Sequence, residues 1–267
     1  MIEILAAIVV FLLLCAGAGF GILVRGWLPA QHQTPEATLL MQLTVGLLAT
    51  FAAVVLGLLT ASVKQAYDNS ALDRQQYALQ LDQLDACLHD YGTGAAPIRA
   101  DLRGYTAAVI ASTWPSEPHP VGVSYPDTSR MPVVGASPIL EDLMERIGLE
   151  VNELAPADAQ HTAIAAMCRN RYDSVSTARL SVIEAARSEL LQPFYEILIV
   201  WLMIIFACHG LIAPRSRLTL TLMLLSAISL SSVMFVIADL SQPYGGFFSI
   251  SSASMRSALQ AMLARNG

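Results

Sequence analysis

The sequence predicts an all-α membrane protein, with four transmembrane helices in two hairpins and a long helical extramembrane insert between them. Three observations carry that prediction. Of 267 residues, 55% are hydrophobic and only 13% charged, about half the charged share of an ordinary soluble chain. Four apolar runs reach the roughly 18 to 20 residues that cross a hydrocarbon core, from Ile4 to Val24, Leu39 to Val63, Phe194 to Leu211 and Leu218 to Ile237. The polar stretch between the second and third runs has apolar residues at helical period. The expected divisions are a first hairpin over 1–63, the insert over 64–192, a second hairpin over 193–240, and an interfacial turn with a short C-terminal helix over 241–267.

The first run follows Met1-Ile2-Glu3, which has no Lys or Arg, and it exceeds the 7–15 apolar residues of a secretory signal. It is therefore read as a retained span, although Ala16-Gly17-Ala18 has the small residues of a cleavage site. The second run carries Thr44, Gly46, Thr50 and Gly57, and the fourth carries Ser226, Ser229, Ser231 and Ser232. Residues of this kind pack membrane helices closely and also line aqueous passages, so both roles stay open. Of the four cysteines, Cys15 and Cys208 fall in spans and Cys87 and Cys168 in the insert. With no CxxC spacing among them, all four are expected to be buried free thiols.

Within the insert, Tyr77, Leu81, Leu84, Leu88 and Tyr91 recur at spacings of four and three, so the second span continues outward as a helix that stops at Gly92. Pro97 suits the first turn of a following helix with Ile98, Leu102, Tyr105, Val109 and Ile110, ending near Trp114-Pro115. Six prolines from Pro115 to Pro138 predict a long irregular connection. Helices resume from Pro138 to about Leu154 and from about Ala157 through Glu189, the last with Ile164, Cys168, Tyr172, Val175 and Ile183 on one side and leading through Pro193 into the third span.

The insert holds 17 Asp and Glu against 10 Lys and Arg, which accounts for the formal net charge of −6 and disfavours nucleic acid as a partner. Four spans put both termini and the insert on one side of the bilayer. Near the span ends that side has Lys64, Arg74, Arg179, Arg187 and Arg256, against Arg25, Arg215 and Arg217 on the other. The positive-inside rule then favours a cytoplasmic insert and termini, in a bacterial inner membrane.

Ionisable residues at the span ends are Glu3, Lys64, Glu196, His209 and Asp239. Contact with headgroups accounts for such positions; the sharper reading takes Thr50, Glu196 and Asp239 as polar gate or permeation residues. No pattern for catalysis is present: the chain has no GxSxG, no HExxH and no phosphate-binding glycine loop. His161 and Cys168 would supply only two of the four ligands of a structural zinc, and His32, His89 and His119 are scattered. Neither an enzyme activity nor a metal or cofactor is expected.

The last span runs into "IADLSQPYGGFFSISSASMRSALQAM", with "LGLLTASVKQAYD" at 56–68 and "LRGYTAAVIASTWP" at 102–115. Together with the two hairpins flanking a helical insert, these stretches resemble the bacterial bestrophin-like domain family. That family ends its last span in an Asp-Arg-Pro-Phe-x-Gly type turn before a short amphipathic helix. Pro243 and Gly246 stand in matching places and Asp239 lies just ahead; Ser241, Gln242 and Tyr244 depart from the pattern.

Bestrophins proper are pentameric ion channels whose second span lines the pore with bulky apolar residues four apart. The resemblance thus implies a homo-oligomer that conducts inorganic ions across the lipid bilayer, with Leu47, Phe51 and Val55 as the candidate pore neck. Bestrophins are mostly anion channels, whereas an acidic insert concentrates cations. The alternative is a non-conducting scaffold or sensor whose acidic helical domain binds a cytoplasmic partner. In the closing stretch, Pro243, Gly245 and Gly246 are expected to force a reversal after Asp239. The short helix after it, with Met255, Leu259, Met262 and Leu263 on one face, is expected to dock against the base of the central helices, of its own or a neighbouring subunit, or else to lie on lipid.

Overall fold

The computed structural model describes residues 2–27, 35–133, 135–185, 192–214 and 216–265. Arg187, Arg215 and His32, which entered the charge and histidine readings, lie outside the described residues. The described residues form eight α-helices and one short 3₁₀ turn, with no strand among them. They are α1 (Ile2–Trp27), α2 (Pro35–Tyr91), α3 (Ala96–Thr113), α4 (Pro138–Asn152), α5 (Ala159–Ala185), α6 (Gln192–Ile212), α7 (Arg217–Leu240) and α8 (Ala253–Ala264). α1, α6 and α7 contain the first, third and fourth apolar runs, and α2 contains the second.

The chain divides into two compact units, one of Met1–Tyr67 and Glu189–Phe248, the other of Asp68–Ser188 and Ser249–Gly267. The 57 residues of α2 exceed what a bilayer needs, so the helix contributes to both units.

In the first unit, Val10 and Leu14 of α1 pack with Leu198 and Leu202 of α6 and Met234 and Ile237 of α7. The crossing of α1 and α6 is set by glycine. A Cβ at Gly21 would lie 1.9 Å from the carbonyl oxygen of Ala207, one at Gly17 2.8 Å from that of Met203, and one at Gly210 2.2 Å from that of Ala18. Lipid tails are as apolar as leucine, so membrane helices associate through close van der Waals contact, and small residues four apart permit it. Arg25 completes the crossing by donating from Nη1 to the carbonyls of Ile212 and Ala213 at the C-terminal end of α6, where the unpaired carbonyls and the helix dipole favour a cation.

The second unit is built on ordinary burial. The stripe predicted on α2 is real: Tyr77, Leu81, Leu84, Leu88 and Tyr91 are all buried. Gly92, at a φ of 96°, ends the helix in a conformation that side chains resist. Pro97 stands in the first turn of α3, which is buried nearly all round and is the centre of this unit. α4 and α3 pack together, as do α4 and α5 and α3 and α8. The proline-rich connection lies on α3, with the Ser124 carbonyl 2.8 Å from where a Cβ of Gly104 would stand.

The cysteine expectation is corrected. Cys87 of α2 and Cys168 of α5 are joined by a disulfide across 81 residues, their Cα atoms 5.6 Å apart. Both sit on the buried stripes of their helices, so two chain-distant faces that bury each other bring the sulfurs together. Cys15 and Cys208 are free.

Candidate functional site

The candidate neck lies on the first half of α2. That stretch has two faces: Val45, Ala52, Leu59 and Val63 are buried in the core of the first unit, while Leu43, Leu47, Phe51, Val54 and Leu58 are exposed. Leu47 and Phe51, 59% and 55% exposed, share the outward face. Val55 is half-buried against the core, one residue on from the outward Val54. Spacing by four drifts around a helix of 3.6 residues per turn, so the third member of the triplet rotates inward. The outward row therefore runs Leu47, Phe51, Val54, Leu58.

The polar candidates are separate. Thr50 is exposed on α2 and its hydroxyl donates to the Gly46 carbonyl at 2.8 Å. Thr44 and Thr60 bond their own helix in the same way. Such i to i−4 bonds satisfy the hydroxyl proton within the helix and leave the oxygen able to accept a further bond. Glu196 is exposed in the first turns of α6.

Asp239 takes a different position. It is 1% exposed, and its two carboxylate oxygens accept the backbone N–H groups of Phe247 and Phe248 at 2.7 and 2.9 Å. A buried carboxylate needs such donors, and here the turn supplies them. Of the turn residues, Gly246 is the one held by contact: a Cβ there would stand 2.5 Å from an Asp239 carboxylate oxygen. At Gly245 the nearest atom is the Gln242 side-chain oxygen at 3.8 Å, and Pro243 begins the reversal after the α7 C-cap Ser241. Phe247 and Phe248 are left exposed, with Phe247 edge-on to Phe235.

In the second unit α8 docks on its own chain. Met255, Leu259 and Met262 are buried and Leu263 half-buried, with Met262 sulfur against the Thr106 hydroxyl of α3. The Trp114 indole donates to the Ile250 carbonyl at 2.7 Å, while the Arg74 guanidinium stacks 5.1 Å over the same ring. Glu117 gathers the Ser252 hydroxyl and, at 3.0 Å, the Arg256 guanidinium. The Ser252 hydroxyl, and then Arg256, hold the Glu117 carboxyl below its ordinary range.

At the other end of α8, Arg265 reaches Asp82 at 2.7 Å and Asp85 at 3.1 Å. Asp85, fully buried, also takes the fork of Arg99 at 3.0 and 3.1 Å. The hydrogen bond to Asp82 strengthens the hold of Arg265 on its proton. Beside these, the Tyr77 and Tyr105 hydroxyls pair at 2.5 Å within the core, and burial pushes both phenols up.

A polar cleft of about 350 Å³ opens between α2 and α5, lined by Asp73, Gln76, Gln80, Asp173, Ser174 and Thr177 among others. Among the described residues no group of three or more His, Cys, Asp or Glu is placed to hold a metal ion.

Sequence reasoning missed three features. The Gly17-x-x-x-Gly21 spacing was visible and would have located the α1 and α6 crossing. The Asp85 and Arg99 pair lies 14 residues apart on two helices and has no sequence signature. The disulfide has none either.

Residues 10–255 match the family model of the Bestrophin-like domain. The fold is similar to crystal structures of a bacterial bestrophin homologue from Klebsiella pneumoniae. A tryptophan-to-alanine variant has a TM-score of 0.70 at 14% identity, over 98% of this chain and 97% of that one. A tryptophan-to-phenylalanine variant has a TM-score of 0.66 at 15% identity, over 97% and 99%. No curated protein matches.

Proposed function

We propose, because the chain belongs to the bestrophin-like family, that it assembles with copies of itself into a ring and conducts small inorganic ions through the bilayer. The observation that carries this reading is the outward row of α2. Leu47, Phe51, Val54 and Leu58 present large apolar side chains turned away from the helices of their own chain. In a ring, five by analogy with bestrophins, such rows converge into a narrow apolar neck that gates by excluding water. Val55 stands behind the row, packed against the core of the first unit. Thr50 and Glu196 are the polar groups nearest to the role of permeation residues, and Asp239 closes the turn that follows α7.

The second unit and both termini face the cytoplasm of a bacterial inner membrane, as the positive charges near the span ends favour. The acidic residues of that unit, including Asp73 and Asp173 at the cleft, raise the local cation concentration. Cations are therefore the expected permeant species. Bestrophins proper are channels rather than enzymes, and this reading assigns the chain no catalytic step.

The test is current from the purified protein in a planar bilayer under a KCl gradient. Phe51→Ala should widen the neck and raise conductance severalfold or hold the pore open, with a reversal potential on the potassium side. An active channel indifferent to Phe51→Ala places the pore elsewhere, and an anion-side reversal potential defeats the cation assignment. A second reading, a scaffold or sensor with a cytoplasmic partner, is favoured by the self-sufficient core and acidic cleft of the second unit. Silence from a folded oligomer would select it.

A further inference from the structure

We propose that Cys87 and Cys168 are a reversible thiol–disulfide pair that clips α5 to α2 and thereby sets the gating state of the channel; the reduced resting state rests on the cytoplasmic placement, and the gating on the channel activity, proposed above.

The bonded pair is isolated. The two sulfurs face each other from helices whose Cα atoms stand 5.6 Å apart, within the range a disulfide bridges. The other two cysteines of the sequence, Cys15 and Cys208, belong to the first unit, so no third thiol in the second unit competes.

A reduced pair would fit the same site. The Cys87 sulfur lies 3.7 Å from the Ile164 carbonyl oxygen, which gives a reduced thiol an acceptor already in place. The seam between α2 and α5 also has contacts that do not depend on the bond. Arg171 donates to the Gln83 side-chain oxygen at 2.6 Å, and the Tyr91 and His161 rings meet edge to face at 5.5 Å. Reduction therefore loosens the seam without dissolving it.

On the cytoplasmic side, resident thiols keep such pairs reduced, and a disulfide there is a signal rather than a fixture. The oxidant is hydrogen peroxide, and because Cys87 and Cys168 are 4% and 0% exposed it reaches them through local opening of the seam. The Cys87 or Cys168 thiolate attacks one peroxide oxygen and breaks the O–O bond, giving a sulfenic acid and one water after proton uptake. The second thiol then attacks the sulfenic sulfur, the S–S bond forms, and its hydroxyl leaves as a second water. Two electrons pass from the sulfurs to the peroxide, and a dithiol returns them by exchange. Because α2 is one helix from Pro35 to Tyr91, a clip at Cys87 acts on the element that carries Leu47 and Phe51.

The test uses the full-length protein, first in cells and then in proteoliposomes. Thiols are trapped by acid quench and alkylation, and a non-reducing peptide map reads the pair. In parallel, limited proteolysis reads α5 and potassium flux reads the pore. The expected result is free thiols in untreated cells, a Cys87 to Cys168 linked peptide after hydrogen peroxide, and reversal by a dithiol. Oxidation should slow cleavage within α5 about tenfold and change flux severalfold, and the Cys87→Ser, Cys168→Ser double variant should conduct but ignore peroxide.

A pair already linked in untreated cells, or thiols that never link, overturns the switch. A pair that cycles while an active channel is unmoved overturns the gating link. No flux in either state, with the pair cycling and proteolysis responding, supports the clip and defeats the channel reading instead.

Discussion

The two units of this chain solve helix packing by opposite means. In the first, α1 and α6 meet through Gly17, Gly21 and Gly210, where backbone approaches backbone with no room for a methyl group. In the second, α3 is wrapped by apolar side chains and still buries the Arg99 and Asp85 pair, with Arg103 donating to the Arg99 carbonyl beside it. The difference follows from the solvent each unit is built for. Where the surroundings are hydrocarbon, burying leucine gains little and contact distance decides. Where they are water, apolar burial supplies the drive, and charges can be enclosed if each finds its partner.

The comparison breaks most visibly at Asp85. Asp85→Ala leaves Arg99 and Arg265 without the shared carboxylate, and removing one partner of a buried pair costs about 3–5 kcal/mol. Thermal unfolding of the purified protein should show an early transition belonging to the second unit. An unshifted transition would mean that Arg99 reaches water.

A smaller loss, about 3 kcal/mol from forced overpacking, is expected for Gly21→Leu, because a Cβ there meets a backbone oxygen that cannot turn away. Gly46→Ala is its control, since nothing stands within 4 Å of a Cβ at that position in the single chain. Folded yield in detergent should fall for the first and hold for the second. Equal behaviour would show that α1 and α6 do not depend on close approach.

The smallest effect is on pH. Glu117 has its folded pKa lowered by the Ser252 hydroxyl and then by Arg256. Its contribution is therefore complete above the ordinary carboxylate value, near pH 4.3, and fades as pH falls through the lower folded value. Its side chain is 34% exposed, so water screens much of the interaction. Protease cleavage ahead of α8 should rise only below about pH 4, and Glu117→Gln should flatten that rise. A rise already complete at neutral pH would remove Glu117 from the docking of α8.

Much of this was legible in the sequence. Hydropathy located the four spans, because a bilayer imposes a length on any helix that crosses it. Period and punctuation located the second unit's helices: Tyr77 through Tyr91 as one stripe, Gly92 as its stop, Pro97 as the next start, and six prolines as the connection. On α2, spacing by four did not give the exposed face, since Leu47 and Phe51 turn outward while Val55 turns in.

These features are local, set by which residue follows which along some turns of helix, so the sequence determined them by itself. Tertiary structure alone decided which stripe met which. It brought Cys168 to Cys87 across 81 residues and gave Asp85 both Arg99 and Arg265. It also chose Gly246 over Gly245 as the glycine that makes room for Asp239. Each of those depends on distances between elements far apart along the chain, and such distances are fixed only when the helices have packed.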